Sequence, residues 1–217
     1  MSSWYPPSRP RPVEDGIKAK SRRGAIAQTW WSERFIDVIE SIIVGGRLQR
    51  GKTYARRGQV IGLELRPGAV TASVQGSRVR PYQVRIGLPA FGKTEWTRVC
   101  EVLADNAWYA AKLLAGEMPE DIEEAFDAVG LSLFPSGADE LTMDCTCPDW
   151  EVPCKHLAAV FYLLAESFDE DPFAILAWRG RDRDRLLDTL SALRSGGGGG
   201  EATPGESVVP LADCLDT

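Results

Sequence analysis

Cys145-Thr146-Cys147-Pro148-Asp149-Trp150-Glu151-Val152-Pro153-Cys154-Lys155-His156 holds three of the five cysteines and the single histidine of this chain. The spacing is C-x-C-x6-C-x-H. Zn²⁺ in structural sites takes four thiolate or imidazole ligands in a tetrahedron, with Zn–S near ~2.3 Å and Zn–N near ~2.0 Å, and Cys145, Cys147, Cys154 and His156 fill that shell. The alternatives are a disulfide pair, which the lack of an export signal weighs against, and an accidental cluster of thiols.

The spacing makes geometric demands. Side chains at i and i+2 of a flat strand stand roughly 6.6 Å apart at ~3.3 Å rise per residue, but two sulfurs on one zinc come within about 4 Å. Cys145 and Cys147 are therefore expected at a bent strand end, with Pro148 as the stop. Residues i and i+2 of a regular helix point to different sides, so Cys154 should precede a helix and His156 lie in its first turn. Leu157, Val160, Phe161 and Leu164 continue at i, i+3, i+4, i+7 spacing, as that helix requires. Upstream, Leu131 to Phe134 and Glu140 to Met143 read as short strands around the Pro135-Ser136-Gly137 turn, which predicts a ββα unit pinned by metal. Trp150 either packs beside the metal or faces a partner.

An array of this kind, with an apolar helix after its histidine, resembles the SWIM zinc finger. Further likeness to bacterial SWIM-containing proteins lies in Trp30-Trp31-Ser32-Glu33-Arg34-Phe35, in the block from Gly46 to Arg56, and in Gln75-Gly76-Ser77-Arg78 with Pro81-Tyr82, so that it spans roughly residues 30 to 190. The resemblance implies a ββα zinc module that binds nucleic acid or protein, in a family often linked with helicase-like ATPases that translocate on DNA. Its ligand roles carry over onto Cys145, Cys147, Cys154 and His156.

The 217 residues, 44% of them hydrophobic, suffice for one good core or two small ones. Neither an apolar leader nor a run near the ~20 residues of a membrane span is present, which predicts a cytoplasmic location. The net charge of −6 conceals an asymmetry: residues 1 to 98 carry 18 Lys and Arg against 7 Asp and Glu, whereas residues 99 to 217 carry 7 against 24. Local fields rather than the net value steer association in such a chain.

The fold class expected is α+β: an N-terminal helix plus a small antiparallel sheet, a helical middle, and the ββα zinc-binding module followed by short helices. Residues 1–28, rich in Pro, Ser and basic side chains, read as a flexible arm whose Lys18, Lys20, Arg22 and Arg23 are either solvated or in contact with phosphate. Residues 29–92 open with a helix over Trp30 to Val44, whose tryptophan pair belongs to the core, and continue with strands over Gln59 to Arg66, Ala69 to Gln75 and Tyr82 to Leu88. Residues 93–130 read as one long helix from Glu95 to Ala115, with Cys100 a small buried thiol, and an acidic helix after Pro119. The zinc module occupies 131–168, short helices 169–194 and a disordered tail 195–217, which contains Cys214.

Arg47, Arg50, Lys52, Arg56 and Arg57 surround Tyr54 with no acid among them, and Arg78, Arg80 and Arg85 come from the same sheet region. Basic and aromatic side chains together can track a phosphate backbone and stack bases, although a solvated basic loop has the same composition. Asp144, Asp149 and Glu151 flank the zinc ligands, so the zinc unit is expected to hold structure or meet protein, and the Arg-rich part to meet nucleic acid. Catalysis is not expected, because the fourth ligand closes the metal and no histidine remains for proton transfer. No phosphate-binding G-x-x-x-x-G-K-[ST] loop occurs. The function expected is that of a non-catalytic zinc-binding accessory protein acting with a helicase-like ATPase; the alternative is a protein-interaction adaptor without nucleic-acid binding.

Overall fold

The computed structural model describes residues 9–196, apart from 22, 23, 25, 44 and 45. Among the described residues the chain is α+β, with eight α-helices and one four-stranded antiparallel sheet. Helix α1 (Trp30–Ile42) buries Phe35, Val38 and Ile39 along one face, the stripe that its sequence spacing predicts. The Arg-rich block is itself a helix, α2 (Arg47–Arg56), rather than a loop.

Strands β1 (Val60–Arg66), β2 (Ala69–Val74) and β3 (Tyr82–Gly87) form a meander. Pro67 and Gly68 make the first turn, where Gly68 adopts a φ of +76° that β-carbon-bearing residues avoid. The alternation in β3 is strict: Tyr82, Val84 and Ile86 are buried, while Gln83 and Arg85 face solvent. The fourth strand, β4 (Thr142–Cys145), pairs with β3 through Val84–Cys145 and Ile86–Met143. Of the two strands expected in the zinc module only the second forms, and it runs two residues later than Glu140 to Met143 because Ala138–Glu140 make a 3-10 turn. Leu133 and Phe134 instead bury their side chains without strand pairing. The zinc module thus borrows its sheet from the N-terminal half.

Between β3 and β4 the chain makes three α-helices, α3 (Lys93–Asp105), α4 (Ala107–Leu114) and α5 (Ile122–Asp127). The single helix expected over Glu95 to Ala115 is broken at Asn106. Its backbone is extended (φ −91°, ψ 107°), and its side chain accepts a hydrogen bond from the Trp108 N–H at 2.9 Å, capping α4. A side-chain amide that competes with the backbone ladder ends one helix and starts the next without disturbing the apolar spacing that spans both.

Helix α6 (Lys155–Glu170) is the spine, with every residue from His156 to Glu166 buried. A helix apolar all round needs neighbours on all sides, and α6 packs against α1, α2 and the sheet. At the crossing with α2, a β-carbon on Gly51 would lie 2.5 Å from Ala158 Cβ, so glycine sets how closely these helices approach. Helices α7 (Phe173–Trp178) and α8 (Arg183–Gly196) form where the sequence spacing places them and complete the core.

The N-terminal arm departs from expectation within its described part. Ile17 bridges to Val60, Ala19 N–H donates to Ala55 O at 3.1 Å, and Lys20 N–H donates to Glu166 Oε1 at 2.7 Å. Ala19, Ile26 and Ala27 are buried. Isolated small apolar residues have no periodicity, so the pinned segment looks like tail in sequence. Of the tail expected over 195–217, residues 195 and 196 continue α8 instead, and Arg22, Arg23 and 197–217 lie outside the described residues.

Candidate metal centre

Strand β4 ends at Cys145, and Thr146 prolongs the pairing by donating its N–H to Gln83 O at 3.0 Å and accepting Gln83 N–H on Oγ1 at 2.9 Å. Cys147 follows at the bend. Cys154 is the N-cap of α6 with extended backbone, and His156 sits in the first turn. These are the placements that the tetrahedral spacing demanded.

The three sulfurs and a ring nitrogen of His156 all lie within 4.8 Å of one another. His156 Nδ1 is 3.6 Å from Cys154 Sγ and 3.8 Å from Cys145 Sγ. A tetrahedron with ~2.3 Å Zn–S and ~2.0 Å Zn–N bonds has edges of about 3.5–3.8 Å, so the set fits zinc, with Nδ1 as the histidine ligand. Cys154 and His156 are 1% and 2% exposed, and Cys145 and Cys147 are half-buried.

Thiols packed this closely oppose each other's ionisation. Cys154 is pushed down to about 3, first by the hydrogen bond from the Cys145 thiol and also by His156. Cys145 is pushed up by that same hydrogen bond and by burial, and Cys147 is pushed up mainly by burial. A divalent cation replaces the shared protons and lets all three sulfurs carry charge. The set can thus hold a zinc ion as a cross-link between β4 and α6.

Two aromatic rings wall the imidazole. Tyr54 from α2 lies 5.3 Å away, centroid to centroid, at 73°, and Tyr82 from β3 lies 4.7 Å away at 46°. His156 Nε2 is buried without a hydrogen-bond partner among the described residues, so ring packing rather than a carboxylate orients this ligand. Tyr54 is therefore a support for the metal site and not a base-stacking surface, because only 8% of it is exposed. The sequence signal for this role was the aromatic itself; which face it used was not readable.

Trp150 is 87% exposed at the tip of the loop between Cys147 and Cys154, with Val152 56% exposed beside it. Of the two readings of Trp150, its indole takes the outward one. Glu151 pairs with Arg47 at the start of α2.

The other expected nucleic-acid residues fall into two groups. Lys52 pairs with Glu40 at 2.9 Å, and Arg56 donates to Ser21 O at 3.1 Å and Gly24 O at 2.6 Å, so both are engaged internally, as Arg47 is. Arg50, Arg57, Arg78, Arg80 and Arg85 are exposed, with no ion pair among the described residues. Arg85 stands opposite Asp144 in the sheet register.

Arg57, Arg78 and Arg80 belong to segments tied together by two buried glutamines. Gln59 Nε2 donates to Arg11 O at 2.9 Å and to Gln75 O at 3.1 Å, and Gln75 Nε2 donates to Arg78 O at 2.7 Å and to Gly76 O at 3.1 Å. Arg11 N–H donates to Gly76 O at 3.0 Å. The arm, the end of α2 and the β2–β3 connection thus meet at one corner whose arginine side chains are all exposed. Arg11 was missed in the sequence, since nothing local ties it to residues 57 to 80.

Residues 129–165 match the family model of the SWIM zinc finger. Over 217 residues the chain is 69% identical to "Uncharacterized protein Rv2102" of Mycobacterium tuberculosis (strain ATCC 25618 / H37Rv), a match covering 99% of this chain and 78% of that protein. No solved structure matches the chain. Among the described residues, no helix is long and apolar enough to cross a membrane.

Proposed function

We propose, for a chain that belongs to the family of the mycobacterial protein Rv2102 and carries a SWIM zinc finger, a non-catalytic accessory role in which zinc holds the scaffold and an arginine corner binds nucleic acid. The observation that carries this reading is that the Gln59–Gln75 pair ties the backbones of Arg11 and Arg78 together, with exposed Arg57 and Arg80 two residues along the chain from Gln59 and Arg78. Guanidinium groups without an ion pair among the described residues, carried on segments tied at one corner, suit phosphate, to which they donate in pairs. Zinc enters indirectly: it pins β4 to α6, and through Tyr54 and Tyr82 its histidine braces α2 and β3, the two elements that lead into the corner. A closed four-ligand site and the use of the only histidine as a ligand favour a binding role over catalysis.

The test is the salt dependence of binding to a plain duplex and a plain single strand. Between 50 and 200 mM salt, a protein making 6–10 phosphate contacts loses about 10³–10⁵ in affinity, and each contact removed lowers the slope by about 0.9 on duplex or 0.7 on single strand. Arg78→Ala with Arg80→Ala should lower the slope by about two such steps, alike for every sequence tried. Absence of binding to both probes would reject the reading.

The second reading is a protein-interaction adaptor, and Trp150 favours it: a large indole exposed beside Val152, on a loop anchored at both ends by metal ligands, has the form of an interface anchor. A helicase-like, DNA-translocating ATPase is the partner that the likeness to bacterial SWIM proteins suggests. Co-purification from the native cell, with the parent chain and with Trp150→Ala, tests that association.

A further inference from the structure

A cleft of about 880 Å³ opens where the start of α1, helix α4 and the turn before α5 meet. One wall is aromatic, formed by Trp30, Trp31 and Trp108, the last 56% exposed. The rest carries carboxylates, with Glu117, Glu120 and Asp121 on the turn. Asp169 also lines the cleft, but its carboxylate is consumed in accepting from the Gln28 and Thr29 N–H groups and from the Thr29 hydroxyl at the start of α1.

Lys112, the one basic side chain lining the cleft, shows how this wall receives a cation. Its ammonium pairs with Glu117 and sits 5.0 Å from the centroid of the Trp108 ring. Glu120 and Asp121 have no ion-pair partner among the described residues, so the cleft keeps an excess of negative charge beside indole faces. Carboxylate and indole together select a cation, and a guanidinium above all, since it lies flat on a ring while donating to an acid.

A second requirement comes from the indole N–H groups. Trp31 Nε1 donates to Phe168 O at 2.8 Å, whereas Trp30 Nε1 is buried with no acceptor among the described residues. A buried donor without a partner is costly, and a ligand whose acceptor draws the Trp30 indole toward the cleft recovers that loss. A simple polyamine has the charge but no acceptor; a polypeptide has both.

We propose that this cleft docks an extended peptide segment bearing arginine side chains from a partner protein, with a guanidinium between Trp108 and Glu120 and a backbone carbonyl accepting from Trp30. The surface is separate from the arginine corner and opposite to it in charge, so it can hold a protein while the corner holds nucleic acid.

The test uses the full zinc-loaded chain, with a capped Gly-Arg-Gly-Arg-Gly peptide as probe, its Glu counterpart and spermidine as controls, and the indole N–H resonances of Trp30, Trp31 and Trp108 as readout. The arginine peptide should shift the Trp30 and Trp108 signals and leave Trp31, whose N–H is already engaged, nearly in place. Glu120→Lys and, independently, Trp108→Ala should each weaken binding about tenfold, with melting temperature and oligonucleotide affinity unchanged. Spermidine binding as tightly as the peptide, an unmoved Trp30 signal, or unchanged affinity in both variants would overturn the proposal. Since oligonucleotide binding is measured on the same samples, failure here and failure of the arginine corner are separately visible.

Discussion

The imidazole of His156 lies against the ring of Tyr82, with centroids 4.7 Å apart, and the residue that makes room for that ring is Gly76. A β-carbon there would fall 2.2 Å from Tyr82 Cε2. The zinc ligand, the strand after the arginine-bearing connection and the glycine inside it therefore form one packed unit, and disturbance of any of them should reach the others.

Gly76→Ala is expected to push Tyr82 off the imidazole and weaken zinc retention by about 10–100-fold, the usual scale for groups that orient a ligand from behind. Gly62→Ala, where an added β-carbon meets nothing within 4 Å, is the control and should leave retention unchanged. Competition with a chromogenic chelator measures both; equal retention would separate Tyr82 from the metal site.

Purified chain should contain one zinc per polypeptide by elemental analysis, with Cys145, Cys147 and Cys154 shielded from thiol reagents. Structural zinc contributes about 10–16 kcal/mol in zinc-finger peptides, as large as the whole stability of an ordinary domain, about 5–15 kcal/mol. Chelation should therefore unfold the β4–α6 junction, lower the melting temperature sharply and expose those thiols. Metal-free protein that melts like the loaded form would refute a structural zinc.

Arg179, only 2% exposed, is a second internal clamp. Its guanidinium donates to Leu133 O at 2.9 Å, Pro89 O at 3.0 Å and Ser132 O at 2.7 Å, and pairs with Glu140 at 3.1 Å. The planar fork reaches carbonyls on two separate segments, which a lysine ammonium at a single point does not. Arg179→Lys should cost about 1–3 kcal/mol, the scale for leaving a buried acceptor unsatisfied, as measured by denaturant unfolding. A loss below about 1 kcal/mol, typical of an exposed ion pair, would contradict the assigned role.

Glu166 is buried beneath the N-terminal arm, and burial raises its pKa although the Lys20 and Ser21 N–H groups partly hold it down. The folded state thus holds this proton more tightly than the unfolded chain does. Stability is lost as pH rises from the ordinary glutamate value through the raised one, and the loss persists above it. Glu166→Gln keeps an oxygen for the arm and removes the titration. Relative to the parent it should gain stability as pH climbs through that window; melting curves running parallel from pH 4 to 7 would count against the assignment.

Much of the metal centre was readable because its chemistry is local. Four ligands within twelve residues, a proline after the second cysteine and an apolar helix after the histidine leave few ways to close a tetrahedron. The α1 stripe and the β1–β3 meander were legible for a similar reason, since periodicity and turn residues act within one element. The break at Asn106 was not, because a cap depends on one side chain choosing its own neighbour's N–H over solvent, and the apolar spacing continues across it.

Sequence alone thus determined the ligand set, the α+β class and the presence of basic and acidic halves. Tertiary structure decided which charges are free: Arg47, Lys52 and Arg56 face the same solvent in a sequence reading, yet Glu151, Glu40 and two backbone carbonyls engage them. It also turned Tyr54 inward onto His156, turned Trp150 outward, brought Arg11 to Arg78 and gathered Trp30 and Trp108 into one cleft. Composition fixes how much charge and ring surface a chain owns. Whether a group meets water, another side chain or a ligand depends on contacts between segments tens of residues apart, and packing alone selects those.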